Sequence, residues 1–552
     1  MSIRWSWRSW GSRSLMIYLT LLFSIMPAWL IPVRSAAAPP PPVSFSLSQE
    51  GLASLRFGDD EMLGDGKFLV TRVIAETWDG RVEPLEVNQP HISQTGDQLT
   101  LSYPWGDVRR QYKSTPSIPA RLDLTITVEN HSDAIIREID IQALTLRLPA
   151  KPAEYDNVTP MMASNIGDPS IIPLHYGAGS LALCNEDVGR PLMIGFPWAL
   201  DRPTSRDYPV WVYTGRHDSM PDSLPYIDRP IFPGQSDHYS LSIRFGGANT
   251  TLKTLAGDLQ QRFAAAYPFL LHWPDRRPIG ELFISTAAAG WPKNPRGWLQ
   301  DSTIDVTTPE GRKAFDEKLL NYARTSVKIL KQMNAQGMIT WDPEGQEYPH
   351  ATSYLGDPRS LPPEIEPIID DYFRVFSAAG LRVGICVRPQ LPVRAVYGTK
   401  VWQQDVADPA ANLIAKIAYA RKRWGCTLFY VDSNGDPNRP MDAAIFRRVA
   451  AAFPDALLMP EHKNTLYHAY TAPYNELRQG FTGTRPSVSD VYPGAFDVIS
   501  VPDGPIEKRH DELVAAVRRG DILLFRAWFA DTYNDQVRRI YQDEKPPRSA
   551  PP

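Results

Sequence analysis

From residue 279 onward the chain alternates between short apolar runs and amphipathic segments, and that alternation constrains the fold more than any other feature. The run Glu281-Leu-Phe-Ile-Ser reads as a strand. Thr308-Pro309-Glu310 then opens a helix with a cap residue and a proline in the first turn, and Phe315, Leu319, Leu320, Ala323, Val327 and Leu330 form its apolar stripe. Further strands are predicted over 337–341, 381–387, 427–431, 456–459, 496–501 and 522–525, with helices over 363–379, 408–424, 442–452, 506–519 and from 531. Strict alternation implies a parallel sheet flanked by helices, and the length suits a (β/α)8 barrel. Seven strands can be counted; the eighth lies between 465 and 495, or the barrel is irregular. A doubly wound open sheet competes, but no glycine-rich phosphate loop follows the first strand.

Upstream the period is different. Between residues 43 and 247, short alternating runs such as Leu99-Thr-Leu-Ser-Tyr and Arg121-Leu-Asp-Leu-Thr-Ile-Thr-Val are divided by turn pairs, among them Asp65-Gly66, Asp79-Gly80 and Gly96-Asp97. No amphipathic pattern of helical length occurs there, so the region is expected to be an all-β sandwich. The N-terminus carries Arg4, Arg8 and Arg13, an apolar segment over 15–31, then Ser35-Ala36-Ala37-Ala38, the order of an export signal. An uncleaved membrane anchor is the alternative, since the apolar segment is only slightly short of a span. The expected organisation is a signal peptide (1–38), a proline-rich linker (39–43), a β-sandwich (44–254), a helical connector (255–278) and a barrel (279–552).

The formal net charge is −4, and loss of Arg4, Arg8, Arg13 and Arg34 with the signal makes it −8. A mildly acidic chain without a basic stripe excludes nucleic acid as the expected partner. Cys184, Cys386 and Cys426 are too few for a disulfide framework and read as small buried residues. Fifteen tryptophans exceed what cores alone require and suit stacking on sugar faces, with Trp291, Trp298, Trp341 and Trp528 nearest the strand ends.

In a barrel, functional groups project from the carboxyl ends of the strands. The second strand is followed by Asp342, Glu344, Glu347 and His350; the third by Arg388 and Gln390; the fourth by Asp432 and Asn434; the fifth by Glu461 and His462; the sixth counted by Asp503; the last by Arg526 and Trp528. Carboxylates, amides, arginines and aromatics at these ends describe a pocket for a hydroxyl-rich ligand. Two carboxylates on consecutive strands, Asp432 and Glu461, fit glycoside hydrolysis, in which one attacks the anomeric carbon and the other protonates the leaving oxygen. Neighbouring strands run about 4.8 Å apart, near the roughly 5 Å that separates the carboxyls of a retaining pair.

At FYVDSNG and LLMPEH the barrel resembles retaining α-glycosidases, in particular the endo-α-N-acetylgalactosaminidase family and its relatives, and RLDLTITVENHSDAIIREIDI at 121–141 is similar to the sandwich that precedes such barrels. The resemblance implies an α-linked glycan as substrate, Asp432 as nucleophile and Glu461 as acid/base. Unlike that family, the chain has no obvious β-domain after the barrel.

Other readings stay open at this point. Asp432-Ser-Asn-Gly could be a turn whose aspartate caps the following amides, and Glu461 could pair with His462 at the surface. The acids at 342–350 could hold calcium, although their spacing matches no loop and no cofactor is required. A metal-dependent deacetylase or lyase acting on polysaccharide would draw on His350, His462 and His468. A non-catalytic carbohydrate-binding protein would keep the aromatics without needing Glu461.

Overall fold

The computed structural model describes residues 42–115, 119–149, 162–163, 167–177, 179–196, 206–215, 227–286, 290–346, 354–394, 401–436, 439–481, 483–528 and 532–543. The chain divides into Met1–Pro39 and a second unit, Pro40–Pro552, which contains every described residue. The expected signal segment lies outside the described residues. Within them, no helix is long and apolar enough to cross a membrane.

The N-terminal half is built from antiparallel strands, as the period-2 runs predict. One seven-stranded sheet runs Ile171–Tyr176, Gly179–Asn185, Ser236–Gly247, Ala120–Asn130, Gly106–Thr115, Gln98–Tyr103, His91–Thr95. A second is centred on Ile135–Arg147, flanked by Asp207–Thr214 and Leu69–Glu76. Alternate residues of each strand face one shared core that includes Leu101, Ile126, Val128, Ile141, Leu144 and Val212, so the sandwich follows from burying one face of each sheet. The segment 121–141 turns a corner from one sheet into the other at Asn130, whose Nδ2 donates to the carbonyls of Ala134 and Ile231, both at 2.8 Å.

A connector helix, Leu252–Ala266, is capped by Thr251 and buries Leu255, Ala256 and Leu259 against Ile171, Ala182 and Cys184 of the sandwich. Phe263, one turn further on, belongs to the core of the barrel layer. The helix thus joins the two layers through one apolar stripe. The buried Arg244 reinforces the joint, reaching Glu186 at 2.8 Å and Asp258 of the helix at 2.5 Å.

The C-terminal half is a barrel of eight parallel strands: β1 (Ile279–Leu282), β2 (Gly337–Thr340), β3 (Arg382–Val387), β4 (Leu428–Val431), β5 (Leu457–Pro460), β6 (Tyr474–Glu476), β7 (Val498–Ser500) and β8 (Ile522–Arg526). Hydrogen-bonded neighbours follow the order β5-β4-β3-β2-β1-β8-β7-β6. The eighth strand is therefore Tyr474–Glu476, inside the interval left open by the sequence. Helices α1 (Pro309–Gln332), α2 (Ile369–Ala378), α3 (Pro409–Trp424), α4 (Ala443–Ala452), α5 (Pro486–Val491), α6 (His510–Arg519) and α7 (Thr532–Asp543) cover the outside. Between β5 and β6 a single 3-10 turn, Thr465–Ala469, stands where the pattern would place a helix.

Among the described residues no ladder joins β5 to β6. One backbone hydrogen bond crosses that seam, from the Ala472 amide to the Leu458 carbonyl at 3.0 Å, and side chains reinforce it. Asp497, at the foot of β7, accepts from Lys463 Nζ at 2.6 Å, Asn475 Nδ2 at 2.5 Å and His468 Nε2 at 2.7 Å. The lumen is filled by residues such as Ile279, Ile339, Trp341, Leu428, Met459 and Val498. All three cysteines are free and buried, the role of small core residues.

Candidate active site

Three consecutive strands end in register on a cation and two acids. Val387, Val431 and Pro460 are paired across β3, β4 and β5, and each is followed by a polar residue: Arg388, Asp432 and Glu461. The ladder continues through them, Asp432 N–H donating to Val387 and Glu461 N–H to Val431, both at 3.0 Å. These side chains project from rigid positions at the rim of the barrel.

The Arg388 guanidinium donates to Oδ2 of Asp432 from Nε at 2.8 Å and from Nη2 at 2.5 Å, and both residues are buried. The other oxygen, Oδ1, accepts from the Ser433 hydroxyl at 3.2 Å. Ser433 adopts φ of 56°, a left-handed conformation unusual for a residue with a side chain. This conformation turns its amide away from Asp432 and onto Oε2 of Glu461 at 2.9 Å. Asp432 therefore does not cap the amides that follow it. Gln390 Nε2 fixes the same turn by donating to the Ser433 carbonyl at 3.0 Å. Asn434 joins it to the next loop, its Nδ2 donating to the His462 carbonyl at 2.8 Å and its Oδ1 accepting from the His462 amide at 3.0 Å.

Glu461 lies within hydrogen-bonding reach of Asp432. Burial, and next the charge of Asp432, push its carboxyl up to about 7, against the opposing Ser433 amide and Arg388. His462 Nε2 stands 3.6 Å from Glu461 Oε2, and burial pushes the imidazole down. Burial thus acts against the charged form of each.

Beneath and beside this pair is an aromatic floor. Trp341 and Tyr430 lie with ring centroids 4.9 Å apart, and Tyr430 meets Tyr474 edge-on at 4.8 Å. Phe283 packs on Trp341 and, edge-on, on Trp528, both at 5.6 Å. Trp298 is instead a core residue packed on Phe315.

The loop after β2 has a different character. Asp342 accepts from the amides of Ile284 (3.0 Å) and Ser285 (2.8 Å) and from the Ser285 hydroxyl (2.5 Å), so both its oxygens tie β2 to the end of β1. Burial pushes it up to about 6. Glu344 is buried, with no side-chain hydrogen-bond partner for either carboxyl oxygen among the described residues, and burial pushes it up to about 8. Glu347 and His350 lie outside the described residues.

Across the mouth a second group forms on β1, β6, β7 and β8. Arg526 Nη2 donates to Oδ1 of the exposed Asp503 at 2.5 Å. Two acids in this group were not singled out from the sequence. Glu281, inside β1, is buried, accepts from Ser500 Oγ at 3.4 Å and is pushed up to about 8 by burial. Glu476 ends β6 and is held by Arg478 and Gln479. A carboxylate interrupting the apolar run Glu281-Leu-Phe-Ile was a readable signal; Tyr-Asn-Glu, with no apolar run, offered none.

Among the described residues, one cluster brings three metal-ligating side chains together: Asp107, Glu129 and His131, on the sandwich. Arg109 donates to Glu129 there at 2.7 Å. His468, one of the three histidines considered for a metal enzyme, is buried in the β5–β6 seam on Asp497.

No protein-family model matches the sequence, and no curated protein matches it. Among solved structures the chain is similar to a GH36 α-galactosidase from Geobacillus stearothermophilus, at 12% identity and a TM-score of 0.41, over 85% of this chain and 75% of that one. It is similar to an α-galactosidase from Lactobacillus brevis at 12% identity and a TM-score of 0.39, over 88% and 71%. It is also similar to a GH31 family sulfoquinovosidase from E. rectale, solved with an aza-sugar inhibitor, at 11% identity and a TM-score of 0.43, over 90% and 81%.

Proposed function

We propose that the chain is an exported glycoside hydrolase that cleaves an α-linked glycan with retention of configuration, using Asp432 as nucleophile and Glu461 as general acid/base. The observation that carries the reading is the contrast between two adjoining carboxyls. Asp432 is gripped by Arg388 through two hydrogen bonds, whereas burial and Asp432 hold Glu461 at about 7. A carboxyl oriented by a guanidinium beside one that is held near neutral pH suits the division between nucleophile and proton donor that glycosidic cleavage needs.

With Oδ2 engaged by Arg388, Oδ1 is the oxygen available to attack the anomeric carbon. As that bond forms, the bond to the leaving oxygen breaks and Glu461 gives up its proton to it. In the second step Glu461 takes a proton from water, whose oxygen displaces Asp432 from the sugar. The two carboxyls adjoin, Asp432 acting directly on Glu461, so a glycosidic oxygen entering between them is placed to receive the Glu461 proton as Oδ1 attacks. Glu461 is named rather than Glu281 because it adjoins Asp432, whereas the charges acting on Glu281 are Arg526, Asp503 and Glu476.

The α linkage rests on the resemblance at FYVDSNG and LLMPEH, and export rests on the order of segments in 1–38. The partly buried Phe283 and Trp528 suit sugar faces, and Arg526 and Asp503 stand with Trp528 at the far side of the mouth as substrate contacts.

The test is turnover of a panel of aryl α- and β-glycosides by the wild type, Asp432→Asn and Glu461→Gln, with and without EDTA. Loss in both variants, indifference to EDTA and restored turnover of Asp432→Gly with azide to give the inverted glycosyl azide are expected. A fully active Asp432→Asn overturns the assignment. Activity lost only with EDTA replaces it with a metal-dependent hydrolase, and binding without turnover replaces it with a carbohydrate-binding protein.

A further inference from the structure

Helix α3 carries two polar side chains one turn apart, Asn412 and Lys416, on the face that packs under the end of β3. Lys416 is fully buried. Its Nζ donates to the carbonyls of Gly356 at 2.9 Å, Arg388 at 2.8 Å and Gln390 at 2.6 Å. Three acceptors use all three protons of an ammonium. Asn412 Nδ2 adds the carbonyls of Pro389 at 2.9 Å and Gln390 at 3.0 Å. The Arg388 amide in turn donates to the Gly356 carbonyl at 3.0 Å. Every carbonyl from Arg388 to Gln390 is thus held from below.

That segment supplies both side chains that fix the turn after β4: Arg388 on Asp432 and Gln390 on the Ser433 carbonyl. A helix–sheet contact needs no charge, and burying an ammonium costs several kcal/mol unless its geometry is well satisfied. A methionine would fill the same space. Burial does push Lys416 down to about 8, against the charges of Asp357 and Glu344, so the group is retained at a cost. The feature it serves is the aim of the strand end.

We propose that Lys416, assisted by Asn412, is a positioning residue that fixes the backbone of residues 388–390 so that Arg388 meets Asp432 and Gln390 meets Ser433, thereby setting the proton affinity of Glu461. The link to catalysis rests on the glycosidase reading above; the link to Glu461 does not.

The experiment follows the carboxyl carbon of Glu461, assigned with Glu461→Gln, by 13C NMR of glutamate-labelled full-length protein across pH, in the wild type, Lys416→Met and Asn412→Ala. The groups facing Glu461 are Asp432 and Tyr430 on β4, Arg388 and Cys386 on β3, and His462 beside it. Loosening Arg388 removes a cation that favours the ionised form, so the Glu461 step is expected to move upward by about half a unit or more. In parallel kcat is expected to fall about tenfold or more with KM within about twofold, as for a group that aims rather than binds. A folded Lys416→Met with the wild-type titration and kcat overturns the proposal. Should Lys416→Met not fold, the half-buried Asn412→Ala decides: an upward shift supports it and an unmoved step overturns it. A moved titration in a protein inert on every glycoside supports the positioning role while removing the glycosidase reading.

Discussion

The backbone amide of Ser433 donates to Oε2 of Glu461 at 2.9 Å, so the turn that ends β4 is held by the acid that ends β5. The left-handed φ of Ser433, 56°, is a strained choice for a serine, of order 1 kcal/mol or more, and the hydrogen bond to the half-buried Glu461 carboxyl offsets it. Asp432 and Glu461 are thereby coupled through backbone as well as through charge.

That coupling depends on Arg388. Arg388→Met is expected to leave Asp432 buried without its guanidinium, and to lower the unfolding free energy by about 3–5 kcal/mol, the range for removing one partner of a buried pair. Arg388→Lys should recover part of this, because a single ammonium cannot reproduce the fork from Nε and Nη2. Urea unfolding of the three proteins at pH 7 measures both effects. Stability unchanged in Arg388→Met would show that the pair is not formed in solution.

A second expectation concerns pH. Glu461 is held at about 7 in the folded protein, above its ordinary value of 4.5. The folded state therefore keeps this proton over a range in which the unfolded state has released it, and stability falls as pH rises through that window. Above about 7 the penalty is complete, and below 4.5 it vanishes. Glu461→Gln removes the titration, so its stability relative to wild type should rise between pH 4.5 and 7 and then level off. The measurement is the difference between two unfolding free-energy curves taken across that range. A flat difference would place the Glu461 proton elsewhere.

The parts of the molecule that are periodic were legible in advance. Seven barrel strands, most of their helices and the antiparallel strands of the sandwich follow from patterns of 3.6 and 2. Asp432 and Glu461 were visible because each follows an apolar run directly. What stayed hidden has no such run: Tyr474–Glu476 carries two polar residues in three, since β6 turns them toward Asp497 and the mouth rather than toward apolar neighbours. Lys416 lies on the apolar face of its helix, between Leu413 and Ala420, where a lysine is unexpected, and only the tertiary path of residues 356 and 388–390 supplies the acceptors that permit its burial. Glu281 is the exception: its carboxylate breaks an apolar run and so is legible, although the strand pattern alone does not reveal its partner Ser500.

The same seam supports the last expectation. Burial would raise Asp497, but Lys463 and His468 outweigh it and hold the carboxyl well below its usual range. A depressed folded value contributes stability above the unfolded value of about 3.8, and that stability is lost as pH falls through the folded value. Asp497→Ala strands Lys463 and Asn475 between β5 and β6, where no backbone ladder was found to compensate. The expected loss is about 3–5 kcal/mol at pH 7. Because the seam is a local weak point, amide exchange in β6 should accelerate more than in β2, whose two neighbours are both hydrogen-bonded. Uniform acceleration across the barrel would instead mean that the seam unfolds only with the whole domain. Asp497→Asn separates charge from shape: it keeps an acceptor for Asn475 but not the ion pair with Lys463, and should fall between the alanine variant and wild type, the gap to wild type narrowing as pH falls below 3.8 toward the depressed folded value.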